Sequence, residues 1–163
     1  MGADLYIPKV RDPIKAEWQP KFDAAVQRRN AAAEGSPEFE AAQNDVSEAY
    51  DKLYGAGYFR DPYNGSSVLW RLGLSWWQDL EPDIEDEDSE VNVSAERCRE
   101  FLDKVKSAEL KHITEAELRA NHCLVDDGEN SVEKWNRMYA EKRDRLIEFL
   151  ETAIDNGGMY ASL

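Results

Sequence analysis

The chain has 163 residues, 42% of them hydrophobic, and its 34 acidic and 20 basic side chains give a formal charge of −14. This length is typical of one domain that can bury a sizeable core, so we expect a single domain over residues 1–163. The negative charge argues against direct binding to nucleic acid or to an anionic membrane, because both require a positive protein surface. It is compatible with a basic protein partner, with a bound cation or simply with high solubility.

The sequence carries no recognisable signal for export or membrane insertion. The first residues lack the basic segment and apolar run of a secretory signal, and no stretch approaches the ~20 apolar residues of a membrane span. Two cysteines, Cys98 and Cys123, are too few for a disulfide framework, and we interpret both as reduced thiols. These features predict a cytoplasmic protein.

Both chain ends have weak β character. Residues 3–7 alternate between apolar and other side chains until Pro8 ends the run. Residues 159–163 follow a break at Gly157-Gly158. The two ends can therefore pair as a minor two-stranded sheet.

Two helices are predicted after the first strand. Asp12-Pro13 is a typical helix start, with a kink or a fresh start expected at Pro20, and Ser36-Pro37 begins the second helix in the same way. Apolar residues recur at helical spacing in both, and the link around Gly35 is short. The pattern predicts an antiparallel helical hairpin.

The segment from Ser67 to Leu80 is apolar nearly all round and contains three tryptophans. This composition predicts a buried central helix, capped by Ser66 or Ser67 and with Gly73 in its middle for a packing reason. Trp76 and Trp77 point about 100° apart on a helix, so at least one of them should be buried. The other is a candidate binding anchor, but the favoured expectation is that both are buried.

The second half of the chain is predicted to contain an acidic loop and three helices. Residues 79–90 include eight acids, which favours a solvated loop at about 81–92. Ser94 can cap the next helix, and capping boxes at Thr114-x-x-Glu117 and Asn130-x-x-Glu133 begin a short and a long helix. Taken together, the chain is predicted to be mainly α, a bundle of about five helices around the tryptophan-rich segment.

The densest group of candidate functional residues lies in the Tyr58–Arg71 block, whose turn signals predict a structured loop before the central helix. The candidate ligand-binding residues are Arg60, Asp61, Tyr63, Asn64, Trp70 and Arg71. The arginines can bind a carboxylate or phosphate, and the two rings can wall a pocket. The same residue types also fit turns, an ion pair and core packing, and both interpretations stay open.

No catalytic residue, metal site or cofactor is predicted. The chain has no Cys-x-x-Cys or His-x-x-x-His spacing for zinc, and the adjacent His122 and Cys123 would not face each other on a helix. The oxygen-rich stretches at 85–88 and 126–130 lack EF-hand spacing. No nucleophile has an identifiable histidine partner, and no phosphate-binding glycine loop is present.

Three blocks carry a resemblance that covers most of the chain, namely residues 1–7, 58–64 and 69–77. Their sequences, MGADLYI, YFRDPYN and LWRLGLSWW, resemble those of a small group of bacterial and phage-associated proteins of unknown function. The resemblance implies no activity and no site residue. It implies only that the aromatic blocks form one structural unit.

Three hypotheses for the function follow. The first is a non-enzymatic acidic protein-binding module, of the immunity or antagonist kind, whose partner is a basic protein. The alternative is a small-molecule or anion-binding protein, or a small enzyme, that uses the Tyr58–Arg71 block. The third is a structural or assembly subunit, and the sequence leaves the oligomeric state open.

Overall fold

The computed structural model describes residues 2–81, 90–120 and 131–163, which form six helices and four strands. In chain order these are β1 (Gly2–Tyr6), α1 (Pro8–Ala31), α2 (Pro37–Leu53), β2 (Tyr58–Pro62), α3 (Val68–Leu72), β3 (Glu90–Ser94), α4 (Ala95–Ser107), α5 (Glu115–Ala120), α6 (Val132–Asp155) and β4 (Gly158–Ser162). The fold is mainly helical, as predicted. The expectation of about five helices with a two-stranded sheet is only approximate.

The strands form one antiparallel sheet in the order β2-β1-β4-β3. The predicted pairing of the chain ends is present, with Leu5 opposite Ala161, but strands flank it on both sides. β2 occupies the first part of the predicted loop, and β3 begins at Glu90, inside the predicted acidic loop. β2 is not recognisable as a strand in the sequence. Its two buried positions are Phe59 and Asp61, and the aspartate breaks the apolar alternation that indicates a strand.

The main core lies between one face of this sheet and the helices α4 and α6. The sheet contributes alternate apolar residues such as Leu5, Phe59 and Val93, and all three are almost completely buried. From the helices come Cys98, Phe101, Leu102, Val105, Leu146, Phe149, Leu150 and Ala153. A smaller cluster of Ile113, Leu118 and Tyr139 joins α5 to the first half of α6. The tryptophan-rich segment adds Val68, Leu69, Leu72, Trp76 and Leu80 to the main core, so this core joins the segment to the sheet and to both helices.

The prediction of one helix over Ser67–Leu80 is wrong, although Val68, Leu69, Leu72, Trp76 and Leu80 are buried as expected. α3 contains only five residues and ends where Gly73 adopts a left-handed conformation, with φ of 68°. Backbone N–H groups of Gly73 and Leu74 then bond to the carbonyls of Trp70 and Leu69, a Schellman arrangement that closes the helix. Residues 74–80 continue as turns. Gly73 thus ends a helix here instead of relieving a close contact within one.

The starts of α2, α3, α4 and α5 agree with the sequence. The hydroxyls of Ser36, Ser67 and Ser94 each accept a hydrogen bond from the backbone N–H three residues later, at 3.1–3.2 Å. The capping box at Thr114 and Glu117 is formed in both directions. α6 begins after Ser131, whose hydroxyl caps it, whereas Asn130 lies outside the described residues.

The predicted helical hairpin is present, and α1 and α2 pack mainly on each other. α1 begins at Pro8, earlier than expected, and continues past Pro20 to Ala31. Arg28 of α1 and Asp45 of α2 form an ion pair at 2.9 Å. The buried residues between the helices are Ala25, Ala42, Val46, Ala49 and Leu53, and none of them belongs to the main core.

Several predicted features lie outside the described residues. These are most of the acidic stretch, the oxygen-rich stretch at 126–130 and Cys123. Cys98 is buried in the main core. Among the helices that the structure describes, none is both long enough and apolar enough to cross a membrane.

Candidate functional site

The completely buried carboxylate of Asp61 lies at the centre of the predicted site. It accepts hydrogen bonds from the hydroxyl of Ser67 at 2.6 Å, the backbone N–H of Val68 at 2.9 Å and the indole Nε1 of Trp76 at 3.2 Å. The Nζ atom of Lys142 in α6 lies 2.8 Å from its Oδ1. A buried carboxylate is stable only where such donors replace water. Asp61 therefore joins β2, the start of α3 and α6.

The turn between β2 and α3 is held by further polar contacts. The side-chain oxygen of Asn64 accepts hydrogen bonds from the backbone N–H and the hydroxyl of Ser66, at 3.0 and 2.6 Å. From α6, the hydroxyl of Tyr139 donates to the carbonyl of Gly65, and Lys142 donates to that of Ser66 at 3.3 Å. Asn64 thus shapes the turn, and α6 holds the turn in place.

Both candidate arginines have acidic neighbours on other elements. Arg60 is exposed and its guanidinium lies 3.8 Å from Asp4 of β1. Arg71 is largely covered, lies over the ring of Tyr139 and forms an ion pair with Glu117 at 3.2 Å. The backbone N–H of Thr114 and the Arg71 guanidinium both lower the pKa of Glu117. The structure does not bring the two arginines to one common binding position.

An open groove lies beside this polar network. Tyr63, Trp70 and Trp77 line it with exposed fractions of 45%, 65% and 50%, and its volume is about 420 Å³. The other lining residues are Ser67, Leu69, Leu74, Ser75 and Trp76. We call this feature the aromatic groove. Ser67 and Trp76 both line it and hydrogen-bond to Asp61, so the buried carboxylate fixes part of its wall.

The structure brings only two of the six predicted site residues to the groove itself. Tyr63 and Trp70 come together at the aromatic groove, while Asp61 lies beneath it and the other three do not line it. Of the adjacent tryptophans, Trp76 is buried and Trp77 is half exposed, so at least one of the pair is core as predicted, but the expectation that both are buried is wrong. Leu74 was not predicted as a site residue. The sequence signal that pointed to the groove was the high density of aromatic residues between Tyr58 and Trp77.

A second aromatic cluster lies on the face of the sheet away from the main core. The guanidinium of Arg11 lies 4.8 Å from the ring centroid of Tyr58, 5.4 Å from that of Tyr6 and 5.9 Å from that of Tyr54. The Tyr58 hydroxyl hydrogen-bonds to Asp4. Partial burial raises the pKa of Tyr58 to about 12, and the hydrogen bond to Asp4 adds to this effect. These contacts attach the base of the hairpin to the sheet.

We expect the free energy of unfolding to fall as the pH rises from 10 to 12. In the folded protein Tyr58 keeps its proton up to about pH 12, whereas its ordinary pKa is 10.0. The folded state binds more protons in this window, so the stabilisation is complete below pH 10 and is lost through about pH 12. The Tyr58→Phe variant should lose less stability between pH 9 and 11.5 in urea unfolding followed by circular dichroism.

Two other tyrosines affect this comparison. Burial also raises the pKa of Tyr63 and of Tyr139, so the Tyr58→Phe variant keeps a residual pH dependence. Identical pH slopes for the variant and the original protein would contradict the contribution of Tyr58.

Comparisons with known proteins do not narrow the function. Across the described ranges 2–81, 90–120 and 131–163, no group of three His, Cys, Asp or Glu side chains is arranged to hold a metal ion. The resemblance to bacterial and phage-associated proteins stays a prediction. No protein-family model, curated protein or solved structure matches this chain.

Proposed function

We propose that this protein acts by binding a basic partner protein, and that the aromatic groove is its contact surface. The observation that carries the proposal is the exposure of Tyr63, Trp70 and Trp77 around one groove. Tryptophan and tyrosine are enriched among the few residues that supply most of the binding energy in protein interfaces. Large exposed apolar side chains that are grouped, rather than scattered, typically mark such a contact surface.

The attachment of the groove also supports this proposal. Trp76 and Ser67 are tied to Asp61, and Asp61 is tied in turn to Lys142 of α6. This part of the groove wall is therefore fixed before a partner binds, which reduces the entropic cost of association.

Charge determines which class of partner is favoured. The formal charge of −14 attracts a basic protein over long range and repels an acidic one. The anion-binding alternative has weaker support, since Arg60 and Arg71 both lie beside acids that an incoming anion would have to displace. A basic partner requires no such displacement.

A selection from a display library of random 12-residue peptides tests the proposal. Peptides enriched on the immobilised protein should carry a net positive charge and should bind more weakly as salt is raised, because screening reduces the attraction. Their affinity for the Trp70→Ala variant should fall at least tenfold, which corresponds to the loss of about 1.4 kcal/mol or more from a central aromatic anchor.

Tyr50→Ala is the matched control for this experiment. Tyr50 lies on α2 with 52% of its surface exposed, so its removal deletes an exposed aromatic ring that is not part of the groove. Both variants should show the thermal unfolding of the original protein. Enrichment of neutral or acidic peptides, or equal binding to the Trp70→Ala variant, would show that the proposal is wrong.

A further inference from the structure

We infer that the segment received by the aromatic groove is extended, rich in proline and flanked by lysine or arginine. This inference rests on the proposed function and specifies the chemistry of the bound partner. It is argued from the hydrogen-bonding groups of the groove, from the elements that line it and from the charge of the neighbouring sequence.

The aromatic groove presents rings together with unused hydrogen-bond donors. Within the described part of the chain, the indole N–H groups of Trp70 and Trp77 donate to no protein acceptor, and both side chains are at least half exposed. The hydroxyl of Ser67 is already engaged, because it donates to Asp61 and accepts from the backbone of Trp70. A matching ligand therefore supplies flat apolar surface and free acceptors.

The backbone conformation of the ligand follows from this requirement. An α-helix uses its carbonyl groups internally, so its backbone cannot accept from the two indoles. Addition of a β-strand requires a sheet edge, and none of the described lining residues belongs to a strand. In a polyproline II segment every carbonyl is free to accept, and the proline rings pack against aromatic side chains.

Proline also suits the groove for a second reason. A proline residue has no backbone N–H, so a segment rich in proline buries few donors that would need an acceptor in the groove. Its φ angle is already fixed, which lowers the entropy lost when the segment binds. Both effects favour proline over other apolar residues at a surface formed by exposed rings.

The neighbouring sequence indicates the charge of the flanking residues. Trp77 is followed closely by residues 79–90, in which eight of twelve side chains are acidic. Of these, Asp79 lies near Lys104 and Glu81 near Arg97, each on α4. The chain as a whole carries 34 acids and 20 bases. Lysine or arginine beside the prolines would therefore be attracted to the protein by its net charge.

Two matched display libraries of 12-residue peptides test the inference. Both contain random residues, with two lysines at one end, and they differ only at three positions, which are fixed as proline in one library and as alanine in the other. Binders that depend on Trp70 and Trp77 should come from the proline library. Replacing the three prolines of a selected peptide with alanine should weaken its binding at least tenfold, as measured by isothermal titration calorimetry.

The outcomes separate this inference from the proposed function. If both libraries yield equally strong binders that lose affinity for the Trp70→Ala and Trp77→Ala variants, the groove binds basic peptides but the proline inference is overturned. If selected peptides are helical by circular dichroism when bound, it is overturned as well. If neither library yields binders that depend on these tryptophans, the proposed function itself fails. Binding to the Tyr50→Ala variant should be unchanged throughout.

Discussion

Replacing Asp61 with alanine is expected to reduce the free energy of unfolding by about 3–5 kcal/mol, the range typical of breaking a buried ion pair by removal of one partner. The substitution leaves Lys142, only 17% exposed, without its carboxylate at 2.8 Å. It also removes the acceptor of Ser67, of the backbone N–H of Val68 and of the Trp76 indole, which are all buried. Guanidinium chloride unfolding followed by circular dichroism measures the loss.

Two further variants identify the origin of this effect. Asp61→Asn keeps the size of the side chain and one good acceptor but not the charge, so its loss should be smaller than that of Asp61→Ala. Asp51→Ala removes an exposed acid of α2 and should leave the unfolding midpoint unchanged. If Asp61→Ala were as mild as Asp51→Ala, the carboxylate would not be holding these elements together.

The elements that could be predicted from the sequence are those set by neighbouring residues. A serine cap bonds to a backbone N–H only three residues later, so Ser36 and Ser94 could be recognised without knowledge of the fold, and Ser67 as one of two alternatives with Ser66. The hairpin of α1 and α2 likewise depends on a short link and two regular apolar patterns. In these cases, local chemistry and the final structure agree.

The sheet and the true core depend on residues that are far apart in the sequence. β1 pairs with β2 and β4, across about 55 and 155 residues, and nothing near Tyr6 in the sequence indicates either partner. The tryptophan-rich segment was predicted as one helix because its composition is apolar nearly all round. Composition did not show that Gly73 would adopt a left-handed conformation and end the helix after five residues.

The candidate site could be located in the sequence but its internal arrangement could not. Tyr63 and Trp70 were predicted as wall residues, and both line the groove. Asp61 was predicted as a ligand-binding residue, yet its carboxylate is occupied by partners that extend to Lys142, 81 positions away. A polar residue in a loop-like pattern suggests exposure, and only the tertiary structure shows that it is buried and bonded.

This arrangement places stability and binding on different residues of one short segment. Trp76 is 3% exposed, packs against Phe59 and Phe101 with ring centroids 6.4 and 5.4 Å away, and donates to Asp61. Trp77, the next residue, is half exposed and lines the groove. A pair of adjacent tryptophans therefore provides its own internal comparison, because the two substitutions remove the same chemical group.

Trp76→Ala is expected to cost about 3–5 kcal/mol of stability, since it leaves a large cavity beside Phe59 and Phe101 and deprives Asp61 of one donor. Trp77→Ala should leave the unfolding midpoint almost unchanged but should weaken binding of groove-dependent basic peptides at least tenfold. Chemical unfolding and calorimetry of both variants measure the two effects. A large loss of stability in Trp77→Ala, or normal stability in Trp76→Ala, would contradict this assignment. It would mean that Trp77 is the buried ring and that Trp76 is the ring exposed at the groove.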